Sequence, residues 1–474
     1  MVFNSFSFLL FFPIVCLLYF LLPGKWRSVW LLAASYYFYM CWNARYAALI
    51  AFSTIVTYSC ALLMEKHQAK AIRRSVMLLG LCTNLGILAF FKYFGFFGDI
   101  FDRVVAMLGI AVRMPRFDVL LPVGISFYTF QALGYMLDVY RGRIAAERSL
   151  WRYALFVSFF PQLVAGPIER SQNLLSQVNR ENRWNAQRAL EGLLIMTLGF
   201  FEKLMIADRA CLYVDAVYGN WYAASGVQIV LATIAFAFQI YGDFGGYSHI
   251  AIGAAKIMGF DLMDNFRQPY FAVSVRDFWR RWHISLSTWF RDYVYIPLGG
   301  SRVSGVRRAM NTMITFTISG LWHGAAMNYV VWGAMNGALQ IVEGWFPARV
   351  HKSGLSRILR SIVTFIVIDI TWLFFRVNAL STGIKMLRRV AFSFFAMPVS
   401  TGFSAWQSVM LITSIIALLA IDLIHERGGS IVRSAKRLHP ILLGAVLMAV
   451  MYGILVFGMW GSVRSAQAFI YFQF

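Results

Sequence analysis

The chain has 474 residues and a formal net charge of +22, and it is 59% hydrophobic but only 14% charged. Soluble domains carry roughly a quarter charged residues, so this composition, with a mean hydropathy of +0.64, excludes an ordinary soluble protein. It does not call for nucleic acid either: the basic residues fall in short loops (Lys66 to Arg74, Arg141 to Arg152, Arg302 to Arg308, Arg427 to Arg437), as expected where cytoplasmic loops are enriched in Lys and Arg.

Taken in chain order, apolar stretches that can span a bilayer are predicted near 5–23, 26–42, 45–64, 75–92, 119–140, 188–211, 226–259, 310–345, 357–376, 406–425 and 440–460. The opening Phe6 to Leu22 lacks the basic flank and small-residue cleavage site of a signal peptide and reads as the first spanning helix. The lack of charge before Lys25 and Arg27 puts its N-terminus outside, with the basic loops 66–74 and 302–308 in the cytoplasm. The stretches 226–259 and 310–345 are long enough to be broken or doubled. Segments 97–112 and 151–167 are weaker, and the second contains Phe160-Pro161-Gln162 and Ala165-Gly166-Pro167-Ile168. Proline and glycine at that density break helices, so a re-entrant segment covered by protein is predicted there. The expected fold is an all-α polytopic membrane protein of about eleven transmembrane helices plus short re-entrant and interfacial helices, forming one integral-membrane domain over 1–474. Cys16, Cys41, Cys60, Cys82 and Cys211 are scattered without a CxxC pair, so neither a disulfide framework nor a metal site is expected.

Two Trp-His pairs stand out in this apolar chain. Read as one helix, residues 276–293 place Arg276, Arg280, His283, Ser287 and Arg291 on one stripe, with Trp279, Trp282, Leu286, Trp289 and Tyr293 on the next. A basic side beside an aromatic one describes an interfacial helix, braced by Asp277 and Arg281 at i,i+4 and ending near Pro297-Leu298-Gly299-Gly300. Its arginines, Arg281 included, either anchor the helix at the membrane surface or attract a phosphorylated cytosolic ligand while His283 points into a site. In residues 310–327, Asn311, Thr315, Ser319 and His323 recur every fourth position, which draws one polar stripe along a helix. Such groups can simply bond neighbouring helices. A histidine between Trp322 and Gly324 reads instead as a reactive group, since ionisable side chains at membrane depth are functional candidates by default.

The run Gln239 to His249, with Asp243 and three glycines, suggests a broken helix lining a cavity; Asp243 serves there in structure or in binding, and His249 is an accessory candidate. His67, His351, His425 and His439 lie in polar loops and are expected to be solvated, while Asp138 suggests a cap or an ion pair. No Gly-x-Ser-x-Gly elbow, P-loop or metal motif appears. Histidine therefore remains as general base for a nucleophile brought by a substrate or partner.

The run Asp277 to Tyr293, with Leu121-Pro122-Val123-Gly124, Val164-Ala165-Gly166-Pro167, Asn265-Phe266-Arg267-Gln268-Pro269-Tyr270 and Gly320-Leu321-Trp322-His323-Gly324, resembles the alginate O-acetyltransferase branch of the bacterial membrane-bound O-acyltransferases. The opening Val2 to Ser5 and the terminal Phe469 to Phe474 are similar too. The resemblance implies a central tunnel that brings a cytosolic acyl donor and an extracytoplasmic acceptor to one histidine. It maps the essential histidine to His323 and a second hallmark histidine to His283. It further implies acetyl-CoA as donor with no permanently bound cofactor, the bacterial inner membrane as location, and an SGNH-type extracytoplasmic partner within a polysaccharide-biosynthesis complex. One departure concerns Gly245 and His249, where the family commonly shows serine and aspartate.

The expected function is thus acetyl transfer across the membrane to an extracytoplasmic polysaccharide, with His323 as base, His283 orienting the thioester or stabilising charge, and Arg276, Arg280, Arg281 and Arg291 favouring the donor's phosphates. The alternative is a transporter or channel subunit of a polysaccharide secretion system, using the His323 stripe as a polar path. No internal repeat of the kind many transporters carry is seen.

Overall fold

In the computed structural model residues 1–115, 117, 120–346 and 354–460 are described, and the regular elements among them are all helical. Among the described residues six helical stretches are long and apolar enough to cross a membrane: Gly24–Lys66, Lys70–Met107, Gly226–Ile257, Gly354–Arg376, Ala405–Glu426 and Pro440–Phe457. Phe6–Leu21 is a shorter apolar helix. Large apolar side chains such as Leu10, Leu79, Ile358, Ile412 and Met448 stand exposed on these helices, a surface suited to hydrocarbon and not to water. The protein is a multi-pass membrane protein. It divides into two compact units, Met1–Ala189 with Ala254–Met263, and Leu190–Gly253 with Asp264–Phe474.

The first unit is built on Ile125–Tyr140, a helix buried along nearly its whole length. Its neighbours Ala47–Lys66 and Lys70–Leu88 pack on it and pair several of their buried polar groups with one another and with the next segment. Ser53 Oγ donates to Asn84 Oδ1 at 2.5 Å, and the Thr57 and Tyr153 hydroxyls share a 2.7 Å bond. Asp138 forms an ion pair with Arg143 at 3.3 Å. The segment 151–167 breaks as predicted, into Leu150–Ser158 and the single turn Phe160–Leu163. Side chains take up the backbone groups this break releases. The Phe160 N–H donates to Ser35 Oγ at 3.1 Å, and the Phe156 carbonyl accepts Gln162 Nε2 at 2.9 Å as well as Gln131 Nε2. Residues 153–169 are all buried, so the irregular backbone is covered by protein.

The second unit departs from expectation in two places. Gly226–Ile257 runs unbroken for 32 residues, although three glycines suggested a break. Two of those glycines admit a neighbouring backbone instead: a Cβ at Gly246 would lie 2.7 Å from the Gly199 carbonyl oxygen, and one at Gly242 2.7 Å from that of Glu202. The cost of about 1 kcal/mol per glycine in a helix is offset by this packing. What distorts is the facing helix, where Ala186–Phe201 passes through a π-turn, Glu202–Ala207, before Asp208–Gly219. The stretch 310–345 is doubled as foreseen, into Gly305–His323 and Met327–Trp345.

Candidate active site

Residues 276–293 are not one helix. Ser274 caps Val275–Arg281 by accepting the Asp277 N–H at 3.1 Å, and the helix stops at Trp282. His283 then adopts φ 43°, in the left-handed region, before Ile284–Phe290 begins. This conformation costs an L-residue about 1 kcal/mol, and such outliers persist where the surroundings over-determine them. Here two backbone hydrogen bonds to the segment 265–267 hold the break: Arg267 N–H donates to the Arg281 carbonyl at 2.9 Å, and Ile284 N–H to that of Asn265 at 2.9 Å. The break removes His283 from the arginine stripe and turns it into the protein, where it is 1% exposed.

Asn265 fixes the state of this imidazole. Its Oδ1 accepts the Ser285 backbone N–H at 3.3 Å and the Ser285 hydroxyl at 2.9 Å, while its Nδ2 donates to Ser248 Oγ at 3.2 Å. Because Oδ1 is the acceptor in that set, His283 Nδ1, 3.2 Å away, carries the proton and donates it. The basic nitrogen is therefore Nε2. Burial pushes the His283 pKa well below the usual imidazole range, so the ring is neutral at physiological pH.

His323 ends the helix Gly305–His323 and is 2% exposed. Gly324 lets the chain turn there against Tyr329, whose ring a Cβ would strike. The ring centroid of His323 lies 6.4 Å from that of His283, 5.0 Å from Trp322, 5.0 Å from Trp332 and 5.5 Å from Phe375. Trp332 stacks on Trp372 at 5.7 Å, and Phe244 meets His283 edge-on at 4.5 Å. Two buried histidines thus share a box walled by aromatic rings. A helix C-terminus also favours positive charge, which suits a base that becomes imidazolium.

The other candidates divide by environment. Trp322 is buried in the box, and Ser319 is half-buried one turn before His323. Arg281 donates to Asp277 at 3.0 Å and to Glu426 at 2.6 Å, which is a structural tie across helices. Arg276 and Arg280 are exposed, and Arg291 pairs with Asp292 at 2.8 Å. Asp243 binds Lys203 Nζ at 2.5 Å, which also meets Asp208 at 2.8 Å. His249 Nδ1 lies 2.7 Å from Glu202 Oε2. Both pairs rest on the π-turn Glu202–Ala207, a local geometry frequent at functional sites. His425, expected in a solvated loop, lies in the last turn of Ala405–Glu426 and accepts the Ile431 N–H at 3.3 Å. His351 and the terminal Phe469 to Phe474 lie outside the described residues.

Sequence reasoning missed Asn265 and Ser285 as the groups that set His283, and Trp332, Trp372 and Phe375 as walls. It also passed over Glu202 and Lys203, although two charges inside an apolar stretch are a visible signal.

The sequence model of the membrane-bound O-acyltransferase family, MBOAT, matches residues 141–384, a span that includes both histidines. The "probable alginate O-acetylase" of Pseudomonas aeruginosa is 38% identical over 397 residues, covering 83% of this chain and 75% of that protein. The peptidoglycan O-acetyltransferase of Helicobacter pylori is 34% identical over 411 residues, covering 80% and 77%. A teichoic acid D-alanyltransferase from Bacillus subtilis is 27% identical over 239 residues, covering 47% and 59%. The chain belongs to the membrane-bound O-acyltransferase family and is an integral-membrane O-acyltransferase.

Proposed function

We propose that this enzyme moves an acetyl group from cytosolic acetyl-CoA to a hydroxyl destined for an extracytoplasmic polysaccharide, either directly or through an SGNH-type partner. The observation that carries this reading is the pair of buried histidines, 6.4 Å apart between ring centroids, in an apolar box. In this scheme His323 takes the proton of the incoming hydroxyl as its oxygen attacks the thioester carbonyl carbon. The carbonyl re-forms, the C–S bond breaks, and the departing thiolate takes the proton from the His323 imidazolium. Relatives named for alginate and for peptidoglycan support a glycan hydroxyl as the final acceptor.

His283 is neutral and presents Nε2 as an acceptor. It therefore suits holding a substrate donor group, an amide N–H or a second hydroxyl, in register with His323, and not stabilising negative charge. Exposed Arg276, Arg280 and Arg291 are assigned to the phosphates of the donor. The proposal includes about eleven spanning helices around a central tunnel, a single acyltransferase domain, a polysaccharide-biosynthesis complex as setting, and the bacterial inner membrane as location.

The test uses the full chain in lipid nanodiscs with labelled acetyl-CoA, following thiol release and acetyl transfer to glycan fragments. His323→Ala is expected to lower both rates by 100-fold or more, the scale of general-base catalysis, with normal membrane insertion. Undiminished transfer by this variant would remove His323 from its role. Transport of glycan without thiol release would move the protein to another class.

A further inference from the structure

The first unit contains a cavity of about 460 Å³ to which the acyl-transfer scheme gives no task. It is formed where the chain enters Gly24–Asn43, beside the start of Leu150–Ser158 and the loop that follows Ser171–Val178. Its floor is apolar, with Leu31, Leu155 and Phe260 all buried. Its wall and rim are basic. Arg27 is half-buried and donates to the carbonyls of Leu22 at 3.0 Å and Asn182 at 2.6 Å, so its charge is held in place. Lys25, Arg152 and Arg180 stand exposed around the mouth and form no ion pair among the described residues. Against these four cations the lining offers one carboxylate, Glu181.

The residues around this cavity are those suited to a membrane interface. Trp26 and Trp151, the immediate neighbours of Lys25 and Arg152, are 54% and 61% exposed, and Trp184, beyond the same loop, is 58% exposed. Exposed tryptophans concentrate at the headgroup level of a bilayer, and clustered Lys and Arg there face the anionic cytoplasmic leaflet. An apolar floor beneath a rim in which cations outnumber the one carboxylate fits an amphiphile, one acyl stem below and one phosphate above. We infer that this cavity binds the phosphate-bearing head of an anionic phospholipid from the cytoplasmic leaflet. A soluble phosphate compound such as the acyl donor shares the charge chemistry but has no use for exposed tryptophans beside the basic residues.

The experiment places the full chain in nanodiscs of phosphatidylcholine doped with phosphatidylglycerol and measures retained phosphatidylglycerol by mass spectrometry after dilution into neutral detergent. The triple variant Lys25→Gln, Arg152→Gln, Arg180→Gln changes exposed side chains only. It is expected to lose retained phosphatidylglycerol by roughly tenfold or more. The control Lys66→Gln, Lys70→Gln, Arg74→Gln removes equal charge from another basic loop, whose side chains are also exposed, and should retain the lipid. Restoring Arg152 and Arg180 as lysines should recover most of the binding, which separates charge from misfolding. Equal loss in both triples would reduce the effect to overall charge and overturn the site. Displacement of the lipid by millimolar free CoA would overturn the choice of a lipid over a soluble phosphate.

Discussion

Asn265 Oδ1 accepts the Nδ1 proton of His283 at 3.2 Å, and the same oxygen accepts the backbone N–H of Ser285 at 3.3 Å. One carbonyl oxygen therefore sets the tautomer of the imidazole and anchors the first turn of the helix that follows it. The left-handed backbone at His283 is the conformation that brings both donors to that oxygen.

Replacing Asn265 should reveal this double role. Asn265→Ala is expected to lower kcat about 100-fold, the scale of a misplacement near 1 Å, with little change in KM. Asn265→Asp keeps the acceptor but adds a negative charge beside a buried ring, which raises the His283 pKa. As the pH falls, His283 then becomes protonated earlier and Nε2 is lost as an acceptor. Activity of Asn265→Asp should thus drop between pH 8 and pH 6 more steeply than that of the wild type. Parallel pH profiles for the two enzymes would mean that Asn265 serves only the fold.

The four arginines grouped by sequence are expected to separate into two kinds. Arg281 is bound to two carboxylates and is only 20% exposed; Arg281→Gln leaves Asp277 without this partner and Glu426 with Arg357 alone. A destabilisation of about 2 kcal/mol, visible as a lower Tm in detergent, is expected. Arg280→Gln alters an exposed side chain and should leave Tm unchanged while raising KM for the acyl donor roughly fivefold. If single substitutions of Arg276, Arg280 and Arg291 all leave KM unchanged, the donor's phosphates bind elsewhere.

How far the sequence carried can be judged at particular residues. The polar stripe ending at His323 was readable because four-residue spacing drifts slowly on a helix, and the break near Pro161 because proline removes a donor. The break at Trp282-His283 was not readable. No proline or glycine marks it, and it is imposed by Asn265 and Arg267 from a preceding segment. The unbroken helix through Gly242 and Gly246 was hidden for the complementary reason: glycine signals either a break or a close approach, and only the facing Gly199 and Glu202 decide which. Tertiary partners, absent from any local window, account for both differences.

Glu169 supplies a pH test in the first unit. It is 2% exposed, and burial raises its pKa to about 7 against the N–H donors of Met263 at 2.5 Å and Asn173 at 2.8 Å, which favour the ionised form. The folded state thus holds a proton, between the ordinary carboxylate range and about pH 7, that the unfolded chain has released. Stability falls as pH rises through that window and is lowest above it, with a full span of about 3 kcal/mol. The wild-type Tm in detergent should rise as pH is lowered from 8 to 6. Glu169→Gln, which has no proton to exchange, should remove that rise; an unchanged slope would place the titration elsewhere.

Gly320 and Gly333 set the distance between the two helices that frame His323. A Cβ at Gly333 would lie 3.0 Å from Gly320 Cα and would strike the Phe316 carbonyl oxygen. Gly333→Ala must therefore push Met327–Trp345 away from Gly305–His323, at a cost of 1–3 kcal/mol typical of overpacking. Trp332, the adjacent residue, moves with that backbone, and its ring lies 5.0 Å from His323. Loss of Tm and loss of kcat should appear together. Gly453→Ala makes the same chemical change in Pro440–Phe457, where nothing lies within 4 Å of the added methyl. It should leave activity intact and raise Tm slightly, since alanine is favoured over glycine in a helix by about 1 kcal/mol. Normal kcat in Gly333→Ala, with Tm reduced, would show that His323 is positioned by its own helix terminus and not by the helix crossing.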